Sequence, residues 1–351
     1  MTEVISAAVQ PKISFLDGAR IYEKLRRNVM EAGILNRSYV YYAFMGTGFL
    51  TAIISTAYAL YAIHNLFLFV IFGVIFAFCL GQIGGFMHDA GHRAIFKSTK
   101  MNDIVGGICA SILFFNYRAW KQKHNAHHAH PNQEDTDPDV ELPLFAFTQK
   151  RFNSKKGISR FVQRYQAYLY LPMSMLLAYS MQFKSSIKYF IVEIKKGFRP
   201  GIIPEMIVFA VFFFIWYVLP FLVLGISKGI LLIIVVPVCI GFYMANIFAP
   251  NHKGMPEFEK DAKVSFIEQQ IVTSRNVKPG WLTDFVYFGL NYQIEHHLFP
   301  DCPRNKLKKV TPFVKQLCRE AQLPFTVAGA FESFKIILGE LNKTAKAAKG
   351  A

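Results

Sequence analysis

Residues Leu66 to His92 read LFLFVIFGVIFAFCLGQIGGFMHDAGH, an apolar run that ends in two histidines four residues apart. A helix needs roughly 20 apolar residues to cross the hydrocarbon core of a bilayer, and Leu66 to Met87 is long enough. On a helix that continues past Met87, the side chains of His88 and His92 project from the same face. This stretch therefore predicts a membrane-spanning helix that presents two imidazoles at its end.

The composition of the whole chain agrees with a membrane protein. Its 351 residues are 53% hydrophobic, 15% aromatic and only 18% charged, which is more apolar than an ordinary soluble enzyme. Three further blocks are long and apolar enough to span a bilayer. The four predicted spans form two hairpins, Tyr39 to Ile63 with Leu66 to Met87, and Ile203 to Leu224 with Gly229 to Ala249. Two shorter apolar stretches, 104–115 and 165–181, predict interfacial or re-entrant helices.

The positive charges predict the orientation of these spans. The formal net charge is +16, and of the 39 Lys and Arg residues only Lys228 lies in a predicted hairpin turn. Because Lys and Arg are enriched in cytoplasmic loops, both termini and the central insertion are expected in the cytoplasm. The expected single membrane domain is all-α, with a helical cytosolic cap. It comprises a cytosolic tail (1–38), a first hairpin (39–87), a cytosolic insertion (88–202), a second hairpin (203–249) and a second cytosolic region (250–351).

Most of the ten histidines fall in four short segments next to the predicted spans or in the central insertion. Within a segment they are spaced by three or four residues or are adjacent, which places side chains on one face of a helix. The candidate metal ligands are His88 and His92, then His124, His127 and His128, then His252, and finally His296 and His297. Gln293, three residues before His296, and Asn251, next to His252, are further candidates.

The number of imidazoles indicates more than one metal ion. Imidazole suits Zn, Cu, Fe and Ni, whereas a single zinc ion uses only three or four protein ligands. Eight histidines and an amide would serve two octahedral-like metals, and two irons that activate oxygen fit this set. Asp89 and Glu295 lie between ligand positions and are expected to fix imidazole tautomers as hydrogen-bond acceptors. Asp135, Asp137 and Asp139 are expected in a polar loop near the site.

At this point the residues resemble the three histidine boxes of membrane fatty acyl desaturases. The boxes are HxxxH from His88 to His92, HxxHH from His124 to His128, and QxxHH from Gln293 to His297, and the similarity extends from about Met87 to Arg304. The resemblance implies a mushroom-like helical fold with a di-iron centre under a cytosolic cap. It also implies oxygen-dependent insertion of a double bond into an acyl chain. The implied ligands are the eight histidines, with Gln293 or Asn251 acting directly or through water.

The glutamine that opens the third box is similar to that of front-end desaturases and some sphingolipid desaturases. Many such enzymes carry a fused haem domain with a His-Pro-Gly-Gly motif, which this sequence lacks. The resemblance then implies an external electron donor, a ferredoxin or cytochrome-type protein, and the basic charge suits an acidic one. The expected partners are the bilayer, a fatty acyl substrate and this donor, and no nucleic acid.

Three other classes of protein are alternatives to a desaturase. A di-iron membrane hydroxylase or monooxygenase acting on an acyl chain, a sphingolipid or another hydrocarbon shares the histidine boxes, so only product analysis separates it. A metal transporter would need ionisable ligands near the middle of the membrane, whereas these clusters lie at or beyond the predicted helix ends. A structural zinc protein would more often use cysteine.

Overall fold

The computed structural model describes residues 11–140, 145–197 and 199–347, apart from the side chain of Gln149. The first ten residues of the predicted cytosolic tail therefore lie outside the described part. So do residues 141–144 and 198 of the predicted insertion, and residues 348–351 at the C-terminal end. The described chain is mostly helical, as predicted, with one short parallel pair of strands, β1 (Asn276–Val277) and β2 (Val327–Ala328).

Helices account for most of the described residues. In chain order they are α1 (Phe15–Glu31), α2 (Tyr39–Ala62), α3 (Leu66–Gly91), α4 (Thr99–Ile112), α5 (Tyr117–Ala129), α6 (Gln149–Ser154), α7 (Gly157–Arg164), α8 (Gln166–Ser174), α9 (Leu177–Tyr179), α10 (Ser186–Lys195), α11 (Ile203–Phe213), α12 (Leu219–His252), α13 (Phe266–Val272), α14 (Trp281–Val286), α15 (Gln293–Leu298), α16 (Leu307–Glu320) and α17 (Ala330–Ala347). Short π-helical turns at Ser180–Ser185 and Phe214–Val218 and 3-10 turns at Pro200–Ile202 and Arg304–Lys306 connect some of them.

Three helical segments of the described chain are long and apolar enough to cross a membrane: Tyr39–Ala62, Leu66–Gly91 and Pro200–His252. The first two agree with the predicted first hairpin, whose turn ends at Asn65, a residue that caps α3 by accepting hydrogen bonds from two backbone N–H groups. The third runs for 53 residues where two separate spans were predicted. Its backbone leaves the helical region at Gly225 (φ 77°, ψ 174°), a conformation that glycine adopts without steric cost.

The described chain divides into two compact units. The first, here called the apolar unit, contains Arg37–Gln122 and Met173–Ala245. Within it α3 packs against both α2 and α4. A Cβ atom on Gly81 of α3 would overlap the ring of Tyr243, so this glycine allows close packing between helices.

The second unit, here called the histidine unit, contains the described residues of Met1–Asn36, Lys123–Pro172 and Asn246–Ala351. Its largest core joins apolar side chains from α1, α13, α15 and α16. At one end of α13 the buried carboxylate of Glu268 accepts hydrogen bonds from the backbone N–H groups of Lys12 and Ile13 at 2.8 and 3.0 Å. This core fixes α13 and α15, which carry much of the site described next.

Candidate metal centre

The first histidine pair lies at the end of α3, in the apolar unit, with His88 on the last turn and His92 as the C-cap residue. The ring centroids of His88 and His92 are 4.8 Å apart, and His88 is buried. The Oδ1 atom of Asp89 lies 3.2 Å from Nδ1 of His88, while its Oδ2 atom accepts a 2.6 Å hydrogen bond from the hydroxyl of Tyr42. Asp89 therefore contacts an imidazole as its sequence position predicts, and a tyrosine of α2 holds Asp89 in turn.

Gly91, between the two histidines, makes room for an aromatic ring. A Cβ atom at this position would lie 2.7 Å from the ring of Trp120. The Trp120 ring packs edge-on to His88, with centroids 6.1 Å apart. The glycine of the HDAGH sequence thus allows Trp120 to pack against the helix beside His88.

In the histidine unit, three buried imidazoles form a group that we call the inner triad: His127 of α5, His252 at the end of α12 and His297 of α15. Their closest ring nitrogens all lie within 4.8 Å of one another. The Nε2 atoms of His127 and His252 are 3.3 Å apart. Three segments that are distant in sequence thus bring three nitrogen donors to one point.

A second group in the same unit, the outer triad, consists of His124, His128 and His296. Their ring nitrogens also lie within 4.8 Å of one another, and the Nε2 atoms of His128 and His296 are 3.2 Å apart. Because α5 and α15 each contribute to both triads, the two groups are adjacent. The histidines of the second box and those of the third box are therefore each shared between the inner triad and the outer triad.

Each imidazole of the inner triad has a hydrogen-bond acceptor behind its Nδ1 atom. The three contacts are His127 to Oδ2 of Asp137 at 2.9 Å, His252 to the carbonyl oxygen of Thr273 at 3.1 Å, and His297 to Oε1 of Gln270 at 2.7 Å. An imidazole that donates from Nδ1 keeps its lone pair on Nε2. The acceptors therefore place the lone pair of each imidazole on Nε2, the atom that can bind a metal.

The acidic loop behind His127 supports this imidazole. Asp137 is buried, and Asp139 forms an ion pair with Lys123 at 2.5 Å. Burial alone would raise the pKa of Asp139, but the nearby charges of Lys123 and Lys253 lower it, so the carboxylate is ionised. These two carboxylates and His127 lie close enough together to bind a cation. However, Nδ1 of His127 already contacts Asp137, and the carboxylate of Asp139 is already paired with Lys123. The loop lies at the site, as predicted, with Asp137 in direct contact with a candidate ligand.

The two amides singled out from sequence are hydrogen-bonded to each other. The Nδ2 atom of Asn251 donates to Oε1 of Gln293 at 2.9 Å and to the carbonyl of Leu290 at 3.1 Å. The Nε2 atom of Gln293 lies 2.9 Å from Nε2 of His252, so Gln293 directs its NH₂ group toward the inner triad. Among the described residues, Oδ1 of Asn251 is buried with no hydrogen-bond partner. Of the two amides, Asn251 therefore has the available oxygen.

The prediction for Glu295 was wrong. Its Oε2 atom accepts a 2.7 Å hydrogen bond from Nδ2 of Asn276, and Oδ1 of Asn276 accepts from the backbone N–H of Ile294. Glu295 thus ties α15 to β1 and fixes no imidazole tautomer.

His64 and His130, for which no metal role was expected, belong to none of the groups found among the described residues.

Two residues that support the site, Gln270 and Arg275, were not predicted from the sequence. Arg275 is buried and donates to the carbonyls of Pro250, at 2.8 Å from Nε, and of Lys253, at 3.0 Å from Nη2, on either side of His252. Gln270 lies in the run FIEQQIV, where consecutive polar residues interrupt apolar ones. A buried polar run of this kind is the signal that singles out Gln270, since buried amides need hydrogen-bond partners.

The donor set fits metals of the iron and zinc type. Imidazole nitrogen is a ligand for Zn, Cu, Fe and Ni and is not preferred by Mg or Ca. Each triad offers three nitrogens around one point, and the burial of the inner triad keeps bulk water away from it. The arrangement is able to bind more than one cation through nitrogen.

A helical protein with apolar membrane segments and a histidine cluster able to bind metal is a membrane metalloprotein by class. Residues 36–329 match the fatty acid desaturase family, and this chain belongs to that family. It is 28% identical to the Delta(6)-fatty-acid desaturase fat-3 of Caenorhabditis elegans, over 93% of this chain and 75% of that protein. It is also 28% identical to a Delta(8)-fatty-acid desaturase of Euglena gracilis, over 98% and 83%.

The similarity extends to enzymes of another lipid class. A Delta 8-(E)-sphingolipid desaturase of Emericella nidulans is 28% identical over 74% of this chain and 50% of its own length. The family resemblance predicted from the three boxes is therefore confirmed. The protein is an oxidoreductase of the fatty acid desaturase family and a membrane protein.

Proposed function

We propose that this protein uses molecular oxygen and two external electrons to insert a double bond into a fatty acyl chain, either lipid-linked or held as a thioester. The observation that carries the proposal is the convergence of six box and near-box histidines into two triads in a chain of the desaturase family. Nitrogen-rich sites of this size suit a pair of redox-active metals better than one zinc ion.

The proposed ligands of two iron ions are the eight histidines predicted from sequence, His88, His92, His124, His127, His128, His252, His296 and His297. The two triads support six of them, and the helical spacing in α3 supports His88 and His92. Asn251 is proposed as an oxygen ligand, directly or through water, because its Oδ1 atom is buried and has no hydrogen-bond partner in the described part of the chain. Gln293 becomes a ligand only if its amide rotates away from Asn251.

When bound, the irons supply the oxygen activation that removes hydrogen from unactivated methylene groups. The residues of the chain orient the metal-binding histidines and keep water out of the site. Asp89, Asp137 and Gln270 hold Nδ1 of their histidines, which directs Nε2 toward the metals. Burial of the inner triad excludes water that would consume reactive species. Because a methylene has no polar handle, the new double bond must be positioned by the depth of an apolar channel.

The electron donor is proposed to be a separate ferredoxin or cytochrome-type protein. The net charge of +16 would attract an acidic partner. Anionic lipid headgroups are the competing explanation for the same charge, and the basic residues also follow from topology. A donor titration at two ionic strengths tests the steering, because the association rate with an acidic donor should fall as salt rises.

We propose that the chain crosses the membrane four times, with both termini and the metal centre in the cytoplasm. The 53-residue segment Pro200–His252 would be about 80 Å long as one straight helix, against a hydrocarbon core of about 30 Å. A break at Gly225 would divide it into the two predicted spans, 203–224 and 229–249. In this arrangement 1–38, 88–202 and 250–351 are the cytosolic parts.

Cysteine labelling of intact cells tests the topology. Ser227→Cys should react with a membrane-impermeant maleimide added outside, and Ser154→Cys should react only after permeabilisation. The unsubstituted protein, with its five native cysteines, sets the background. Protection of Ser227→Cys from outside would contradict the four-span arrangement.

Product analysis tests the activity. A heterologous host expressing the protein would be supplied with saturated and pre-unsaturated acyl chains, and its lipids analysed by gas chromatography and mass spectrometry. We expect a new double bond that disappears in His127→Ala and persists in the exposed-loop control His130→Ala. A new hydroxyl group instead would assign the protein to the hydroxylase class. No product from a protein with two bound irons and a reducing partner would refute the acyl substrate.

A further inference from the structure

Gln270 lies in the middle of α13, outside every histidine box, and its side chain is fully buried. Its amide makes two hydrogen bonds. The Nε2 atom donates to the backbone carbonyl of His128 at 3.2 Å, and the Oε1 atom lies 2.7 Å from Nδ1 of His297. One side chain thus contacts both the second and the third box.

The first of these bonds determines the second. A backbone carbonyl only accepts hydrogen bonds, so the group of Gln270 that faces His128 must be the NH₂ group. The amide oxygen must then face His297. Because this oxygen can only accept, Nδ1 of His297 must carry the proton, and Nε2 keeps the lone pair. The carbonyl of His128 thereby selects, through Gln270, the tautomer of His297 that can bind a metal.

The three imidazoles of the inner triad differ in the charge of their acceptors. His127 donates to a carboxylate, that of Asp137, whereas His297 donates to a neutral amide. A carboxylate makes an imidazole a stronger electron donor to a metal than a neutral acceptor does. The adjacent Gln269 is also buried, but its amide donates to the loop residues Pro131 and Gln133, and no bond to a histidine is found among the described residues.

We propose that Gln270 is a positioning residue of the metal centre. It holds His297 in the tautomer that carries its lone pair on Nε2 and fixes α15 against the end of α5, without itself contacting metal or substrate. This inference rests on the proposed function, because it assigns His297 as a metal ligand. It adds a residue that none of the histidine boxes contains.

Metal binding to the purified, metal-free protein in detergent tests the inference, with Co²⁺ as a coloured probe. Gln270→Met removes both hydrogen bonds at similar side-chain volume, and we expect it to weaken Co²⁺ binding about 10- to 100-fold. Gln270→Glu keeps an acceptor for Nδ1 of His297 but as a carboxylate cannot donate to the carbonyl of His128, so it should recover only part of the Co²⁺ affinity that Gln270→Met loses. Gln269→Met is the matched control, which should lower the melting temperature of the metal-free protein without changing Co²⁺ affinity.

The outcomes separate the possible failures. Wild-type affinity in Gln270→Met, or an equal loss in Gln269→Met, would overturn the positioning of His297 by Gln270 while leaving the proposed function intact. Co²⁺ affinity in Gln270→Glu no higher than in Gln270→Met would also overturn it. If Gln270→Met does not fold, Gln270→Glu is compared with the wild type, and a complete loss of Co²⁺ binding would overturn it. If the wild-type protein itself bound no Co²⁺ and formed no desaturated product, the proposed function would fall first.

Discussion

The Oδ2 atom of Asp137 lies 2.9 Å from Nδ1 of His127 and also accepts the backbone N–H of Asn132 at 2.8 Å. The other oxygen of Asp137 accepts the N–H of Asp139 at 2.8 Å. Three donors therefore converge on a buried group that can only accept. A carboxylate satisfies all three, and an amide satisfies them only in part.

Asp137→Asn should consequently destabilise the protein and disturb His127. Whichever way the new amide turns, its NH₂ group faces a donor, and leaving buried groups unsatisfied costs about 1–3 kcal/mol. We expect a lower melting temperature in detergent and at least about a tenfold loss of desaturase activity. Asp135→Asn is the control, since Asp135 is exposed, pairs with Lys260 and has a φ of 60° that asparagine tolerates. Equal effects in both variants would contradict the special position of Asp137.

Gly91→Ala should damage the first box through steric overlap. The new Cβ atom would lie 2.7 Å from the ring of Trp120, and overpacking of this kind costs about 1–3 kcal/mol. We expect a lower melting temperature and a loss of product. Gly107→Ala, in α4, meets no atom within 4 Å and should be neutral or stabilise by about 0.5–1 kcal/mol. If Gly91→Ala behaved like Gly107→Ala, the packing of Trp120 beside His88 would be unimportant.

The histidine boxes were predictable because their members lie three or four residues apart, a spacing that helices convert into a shared face. The first hairpin was predictable because apolar length alone defines it. Both signals are local in the sequence. His252 was found only because it follows an apolar block.

The supporting residues lacked such a local signal. Gln270 and His297 are 27 positions apart, and Arg275 is 25 positions from Pro250, so no periodic pattern links them. Glu295 occupies the position expected of an imidazole partner. Because α15 packs against β1, however, its carboxylate accepts a hydrogen bond from Asn276. The division of the histidines into two triads likewise depends on how α5, α12 and α15 pack, which spacing within a box does not determine.

Arg275→Met should loosen the end of α12. The guanidinium group binds the carbonyls of Pro250 and Lys253, which flank His252, and burial lowers the pKa of Arg275 only to about 10, so it stays charged at neutral pH. Removing it leaves buried carbonyls unsatisfied at about 1–3 kcal/mol and frees His252 to move. We expect fewer bound irons per chain by elemental analysis. Arg26→Met, at a partly exposed ion pair 4.0 Å from Asp301, should retain the wild-type metal content.

Glu295→Gln should stabilise the protein at alkaline pH and leave metal binding intact. Burial raises the pKa of Glu295 above its ordinary value of 4.5, so the folded state holds this proton more tightly than the unfolded state. Below about pH 4.5 the carboxyl is neutral in both states and costs nothing, and as pH rises its ionisation increasingly destabilises the fold. Glutamine resembles the neutral carboxyl and can still accept from Asn276.

Melting temperatures of metal-free protein, measured from acidic to alkaline pH, check this prediction for Glu295. The advantage of Glu295→Gln over wild type should be absent near the ordinary carboxyl pKa and grow as pH rises. Glu23→Gln on the exposed face of α1 is the control. A constant difference across the pH range would mean that the substitution acts through packing. A loss of bound metal would instead mean that Glu295 supports a ligand after all.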